Sequence, residues 1–238
     1  MDPTFGSEGI ATLEVPFHGS DLKAMAVQPD GKIVAVGFIR MGSQNADLLL
    51  CRYNTNGTLD GSFGTAGLVR HNLYNEDAFW AVALQADGKI VAAGYTSSGN
   101  SMFMCAARFN TDGSFDNSFG SNGIAVLYPK NGLSRAWAIA VLPDGKVLLG
   151  GEIGPSMFDL DQVLVRLRAD GYIDMSFGGD GWVSIGNGLI ESVEAIVTQE
   201  NGSIVTAGKG STLNSEPLEC WPGLTRAGAW TPPLARTA

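Results

Sequence analysis

The sequence is poor in the residues on which most enzyme chemistry depends. Only two histidines, His18 and His71, occur in 238 residues. The three cysteines, Cys51, Cys105 and Cys220, are too few and too scattered for a disulfide framework, and no CxxC or zinc spacing is present. No GxSxG marks a nucleophile elbow, and Ser134 beside Arg135 has no histidine near it in sequence, which disfavours a serine triad. No apolar run approaches the roughly 20 residues of a membrane span. No window of ten or more residues carries a capped helical period. Charged residues make up 16% of the chain with a net charge of −9, a balance that disfavours nucleic acid and leaves cations and basic partners open. The N-terminus shows neither a basic n-region nor an apolar h-region, so no signal peptide is expected. Met1 to Gly6 starts almost at a repeat boundary, as a piece of a longer protein would.

What is abundant is glycine, 32 residues, within a chain that is 45% apolar. Much of it falls in a repeat. VQPDGKIVAVGF from Val27, LQADGKIVAAGY from Leu84, VLPDGKVLLGGE from Val141 and TQENGSIVTAGK from Thr198 place Asp30, Asp87, Asp144 and Asn201 at steps of 57 residues. Phe5-Gly6, Phe63-Gly64, Phe119-Gly120 and Phe177-Gly178 recur at nearly the same interval. So do LLLCRYNTNG, MCAARFNTDG and VLVRLRADG, without a clear fourth copy. A fixed period of this size means one supersecondary unit copied, each burying its apolar face on its neighbours. Within a unit, alternation broken at Asp-Gly predicts strands A and B joined by a two-residue hairpin. The Leu48 run predicts strand C, and the apolar residues after Phe-Gly predict strand D. The expected fold is all-β, a β-propeller of about four four-stranded blades built from 57-residue repeats. It occupies one domain, residues 1–210, with repeats at about 1–57, 58–114, 115–171 and 172–210. Residues 211–238, rich in proline and tryptophan, read as a divergent tail that supplies one strand or as sequence foreign to the gene.

The pattern Asp60 to Gly64, Gln28 to Lys32 and Arg52 to Gly57 resembles the bacterial delta-60 repeat proteins, over residues 1 to about 210. The resemblance implies propeller-like repeats in surface or exported bacterial proteins, hence an extracellular or cell-surface location, and no single shared activity. The fourth unit departs from it at Asn201-Gly202-Ser203. Three blades are complete in sequence and the fourth lacks C and D, while residues 8–15 read as an unmatched D strand. Pairing that strand into blade four would close the ring within a monomer, with Leu218 to Trp221 as a poor strand C between prolines. The alternative is a homodimer that completes a larger ring.

Strand order sorts the loops onto two ends. The A–B and C–D turns are nearly uniform, whereas the B–C and D–A loops vary, so function is expected at the variable end. Its D–A loops hold His18, His71, Asp21, Asp77 and Glu191, a donor set for a divalent ion, zinc or calcium, that could activate water. Glu76, Arg135 and Glu194 complete the ligand-binding candidates. The bland reading of all of them is solvated loop polars. NTDGSFD (110–116) has the spacing of a calcium loop but also that of ordinary Asx turns. Lys32, Lys89 and Lys146 form a cationic set, read as an anion or glycan surface or as solvated strand starts. Alternation puts Cys51 and Cys105 on the same side of their strands as inert buried thiols. The leading function is a non-catalytic scaffold for a small-molecule, glycan or protein ligand. The alternative is a metal-dependent hydrolase of small esters or phosphoesters.

Overall fold

A computed structural model describes residues 2–15, 19–42, 45–130, 132–186, 190–210 and 221–224, with the backbone alone for 41–42 and 221–224. It groups them into two compact units, residues 1–127 and 128–238. Every regular element among the described residues is a strand.

In unit 1 the first blade is a meander of β1 (Ser20–Val27), β2 (Ile33–Gly42), β3 (Asn45–Tyr53) and β4 (Leu68–His71). The second is β5 (Glu76–Leu84), β6 (Ile90–Ser98), β7 (Ser101–Phe109) and β8 (Ile124–Leu127). All pairs within a blade are antiparallel, and one parallel bridge, Ala46 to Glu76, joins the two. Unit 2 repeats the meander in β9 (Leu133–Val141), β10 (Val147–Ser156), β11 (Asp159–Leu167) and β12 (Trp182–Ile185). Its second sheet has three strands, β13 (Glu191–Thr198), β14 (Ile204–Gly210) and β15 (Trp221–Leu224). β15 thus stands in the C position of this sheet at Trp221–Leu224; of the expected strand Leu218 to Trp221, residues 218–220 lie outside the described residues. Pro222 is tolerated because β15 is the edge.

Alternation decides what the blades bury. Val34, Val36, Leu48 and Leu50 of the first blade meet Phe79, Ile90, Ala92, Cys105, Ala107 and Phe109 of the second, with Phe63 between them. In unit 2, Leu148, Leu164 and Phe177 meet Val193 and Ile204. Each such side chain contributes about 1.5–3 kcal/mol on leaving water. The Phe-Gly motif is core, as its regular spacing predicts: Phe63, Phe119 and Phe177 are fully buried.

Three sequence expectations are corrected. The A–B connections are not two-residue hairpins. Gln28 N donates to Lys32 O and Gly31 N to Gln28 O, so Pro29, Asp30 and Gly31 form a type I turn closed by a bulge. A primed two-residue turn would need Asp30 at positive φ, but only Gly31 lies there, at +82°. Asp87-Gly88 and Asp144-Gly145 repeat the arrangement. Secondly, residues 8–15 are not a strand. Ile10 makes one isolated bridge back to Ser7, and Ala11 and Leu13 pack on Ala35, Cys51 and Tyr53 of the first blade. Gly6 N donates to Asn56 O just as Gly64 N donates to Asp112 O. This segment therefore docks as a Phe-Gly element rather than pairing as strand D.

The third correction is that strand A does not alternate evenly. A bulge interrupts the A–B ladder in every blade, and the residues that the pairing register skips are Lys23, Trp80, Trp137 and Glu194, again at steps of 57. Opposite each bulge stands a glycine, Gly37, Gly94, Gly151 or Gly208. A Cβ there would collide with the carbonyl oxygen of Asp21, Ala78, Arg135 or Ser192. The repeated glycine is thus required by close backbone approach, and the bulge it permits re-aims one side chain per blade.

Candidate functional site

The uniform end is built from a clasp that each of the three complete repeats makes with its own residues. Asp60 Oδ2 accepts from Lys32 Nζ and from Arg52 Nε, both at 2.8 Å, while Oδ1 accepts from Ser62 N and from Ser62 Oγ at 2.6 Å. The Arg52 guanidinium lies 4.4 Å from the Phe63 ring centroid. Arg108, Asp116, Lys89, Ser118 and Phe119 repeat this, as do Arg166, Asp174, Lys146, Ser176 and Phe177. In unit 1 the clasp also bridges blades, because Arg52 Nη1 donates to Thr111 O at 2.5 Å. Hydrogen bonds from Lys32 and Ser62 hold the Asp60 carboxyl well below the usual carboxylate range. Burial raises the Asp174 carboxyl, but Ser176, Arg166 and Lys146 outweigh it and leave a value of about 2. The three lysines are therefore paired with buried carboxylates. In the 110–116 turn, Asp112 Oδ1 likewise accepts from Ser114 N and Oγ, and Asn110 Nδ2 donates to Ser114 Oγ and Phe115 O.

The variable end has no such constancy. In unit 1, Asp47 is fully buried and accepts from the Arg70 guanidinium and from Asn72 Nδ2 at 2.8 Å. Asp77, also fully buried, accepts from Leu73 N at 2.6 Å, from Tyr74 N and from the Thr96 hydroxyl, and so fixes the loop before β5. Glu76 starts that strand at the interblade bridge. The His71 ring packs edge-on against Phe115, with centroids 5.0 Å apart. Asp21 is exposed and paired with Lys23 at 2.5 Å. The Lys23 ammonium lies 4.7 Å from the Trp80 ring, so the two bulge residues of unit 1 touch. His18 and Cys220 lie outside the described residues.

In unit 2 the same positions hold different groups. Arg135 is ion-paired with Glu152, its cross-strand partner, and its guanidinium lies 5.2 Å from the Trp137 ring centroid. Its Nε has no acceptor among the described residues. Glu191 is buried, and burial together with the charge of Asp161 raises its carboxyl. Burial and Asp159 raise Asp161 in turn. Glu194 is exposed and pairs with Lys209 at 2.6 Å. The fold thus brings Arg135 to Glu152 and Glu191 to Asp161. It sends His71, Asp21 and Asp77 to separate partners. Among the described residues no group of three or more His, Cys, Asp or Glu side chains is placed to hold a metal ion. Glu152, Asp47 and Asp161 were missed in sequence; aligning the repeats shows that Asp47 and Asp161 are equivalent. Cys51 and Cys105 are free and buried, and burial pushes the Cys51 thiol up to about 12.

Residues 28–63, 85–119 and 142–177 match a family described as a domain of unknown function (DUF5122) beta-propeller. These are the three complete repeats from the A–B turn to the buried phenylalanine, and with the meanders above they establish an all-β, propeller-type repeat fold. No curated protein matches the chain. Among solved structures, two of a polysaccharide lyase, an ulvan lyase, resemble it at 10% and 11% identity with TM-scores of 0.29 and 0.30; the second is in complex with a GlcA–Rha saccharide. Each match covers 79% of this chain and 52% of the lyase, so the chain spans about half the lyase's length. At that similarity the likeness assigns no substrate or reaction here.

Proposed function

We propose that the chain is a non-catalytic binding module for a polar, saccharide-type ligand, taken up at the A-strand bulges and adjoining variable loops of each unit. In line with the resemblance to delta-60 repeats, it would serve within an exported or surface protein. One observation carries the reading. The repeat keeps its clasps constant at one end, yet at the bulge, where the backbone geometry is the same in every blade, the side chain changes from Lys23 to Trp80, Trp137 and Glu194. A structural requirement would hold the residue type as it holds Gly37, Gly94, Gly151 and Gly208. Variation on a fixed mount is what recognition uses. Aromatic faces beside an ammonium, a guanidinium and carboxylates suit a ligand that offers both C–H surface and hydroxyls.

The test is a panel of oligosaccharides titrated against wild type, Trp80→Ala and Trp137→Ala, with an ester and phosphotriester hydrolysis assay run before and after chelator. Saturable binding that weakens in the tryptophan variants, without turnover, is expected. Chelator-sensitive hydrolysis would establish the metal-dependent hydrolase instead, and identical binding by all three proteins would move the site elsewhere.

A further inference from the structure

Two equivalent carboxylates of this protein stand in opposite circumstances. Asp47 in β3 is buried beneath the Arg70 guanidinium and the Asn72 amide. Its copy in β11 is Asp161, 114 residues on, in the same ladder position: Leu49 pairs with Arg70 as Val163 pairs with Ser184. Ser184 thus replaces the arginine and Gly186 replaces the asparagine. Both groups that cap Asp47 are missing.

Two consequences are visible. The Asp161 carboxylate has no hydrogen bond or ion pair to any described residue, and burial next to Asp159 raises its proton affinity. It packs directly on Gly186, where a Cβ would overlap its Oδ1. Beside it lies a cavity of about 330 Å³ lined by Asp161, Asp180, Trp182, Ser184, Lys130 and Pro155, together with Ile153 and Gly154. Lys130 is no substitute for the missing cap, because its ammonium is exposed and paired with Asp180 at 2.8 Å. The lining therefore carries two carboxylates against one ammonium, with an indole on one wall. Planar, weakly hydrated guanidinium suits that combination, since it bonds a carboxylate edge-on and stacks on an aromatic face.

We propose that this cavity binds a guanidinium group, which takes the place that the Arg70 side chain holds in unit 1. The inference rests on the binding-module reading and adds a ligand class and a second position, in the flank of unit 2 rather than at the bulges. The group can come from a free guanidine or from an arginine of a peptide, and the chemistry of capture is the same.

The experiment titrates the intact chain with agmatine, as a free guanidine, and with N-acetylarginine amide, as a peptide arginine, by calorimetry. N-acetylcitrulline amide, the neutral isostere, is the control. Saturable binding of at least one guanidine is expected, with affinity reduced about tenfold or more for the citrulline compound and in Asp161→Asn, since the charge-assisted bond is lost. Ser184→Arg rebuilds the internal cap, so it should melt at a higher temperature than wild type and no longer be stabilised by agmatine. If that variant does not fold, Asp161→Asn, a near-isosteric change, decides alone. No saturation by either guanidine, equal affinity for citrulline, or unchanged affinity in Asp161→Asn overturns the proposal. Should the guanidines fail while an oligosaccharide still binds in a manner sensitive to Trp80→Ala or Trp137→Ala, only the guanidinium assignment falls. Failure of both series removes the binding-module reading as well.

Discussion

Replacing Asp116 by asparagine tests whether the repeated clasp is structural. Asparagine keeps the shape, and its carbonyl can still accept from Ser118 N and Oγ as Oδ1 does now. The other oxygen, however, receives Arg108 Nε at 2.7 Å and Lys89 Nζ at 2.9 Å, and an amide nitrogen there would face two donors. The two cations differ in what they can do next. Lys89 has 30% of its side chain exposed and can turn into water, whereas Arg108, at 7%, stays buried with its charge uncompensated. Removing one partner of a buried pair costs about 3–5 kcal/mol, and relaxation of Lys89 places this case near 3. For a unit of this size that lowers the melting midpoint by on the order of 10 °C. The pH dependence gives an independent check. Burial raises the Asp116 carboxyl, but the hydrogen bonds of Lys89 and Ser118 and the charge of Arg108 outweigh it and leave it well below the usual range. A folded value below the unfolded one, near 4, means stabilisation that is complete above about pH 5 and is lost as pH falls toward the folded value. Melts followed by circular dichroism should therefore show the full gap between wild type and Asp116→Asn at pH 7 and a narrowing gap below pH 4. A gap under about 2 °C at pH 7, or one that does not change with acid, would refute the reasoning.

Gly94→Ala places a methyl group against the Ala78 carbonyl oxygen opposite the Trp80 bulge, and because backbone is on both sides the strain should cost about 2–3 kcal/mol, read as a lowered denaturant midpoint with unchanged slope. Glu191→Gln should do the reverse. Its carboxyl is raised by burial and by Asp161, so the ionised form opposes folding above the unfolded value, and the penalty fades as pH falls through the folded value. The variant should melt above wild type at pH 7.5, and the difference should shrink on acidification; equal melting temperatures at both would show that Glu191 is well solvated or partnered.

Period and alternation made the architecture legible, because a copied sequence must form a copied unit and apolar residues at every second position must face a neighbour. The strands, the buried Phe-Gly and the inward thiols follow from those two facts. Where expectation failed, the signal was a distance along the chain that does not record what lies across it. Asp-Gly is compatible with two-residue and three-residue turns, and hydrogen bonding around Gln28 and Lys32 chose the latter. Residues 8–15 alternate weakly, yet Ala11 and Leu13 found an apolar surface without any strand to pair with. The paired cations were hidden for the same reason, since Lys32 and Asp60 lie 28 residues apart and meet only when β2 and the turn after β3 are folded.

The candidate sites required a further step, in which the copies are set against one another rather than read in turn. A residue that repeats, such as Asp60, Asp116 and Asp174, is explained by what every blade needs. A residue that changes on an unchanged backbone is not. The bulge places Lys23, Trp80, Trp137 and Glu194 alike, and the ladder places Asp47 and Asp161 alike, so the backbone cannot be the cause of their differences. Asp47 shows what a buried carboxylate at that position demands, an arginine and an amide. Asp161 keeps the carboxylate and discards both. An acid retained without its internal cation leaves a half-buried carboxylate that a cation from outside the chain can complete.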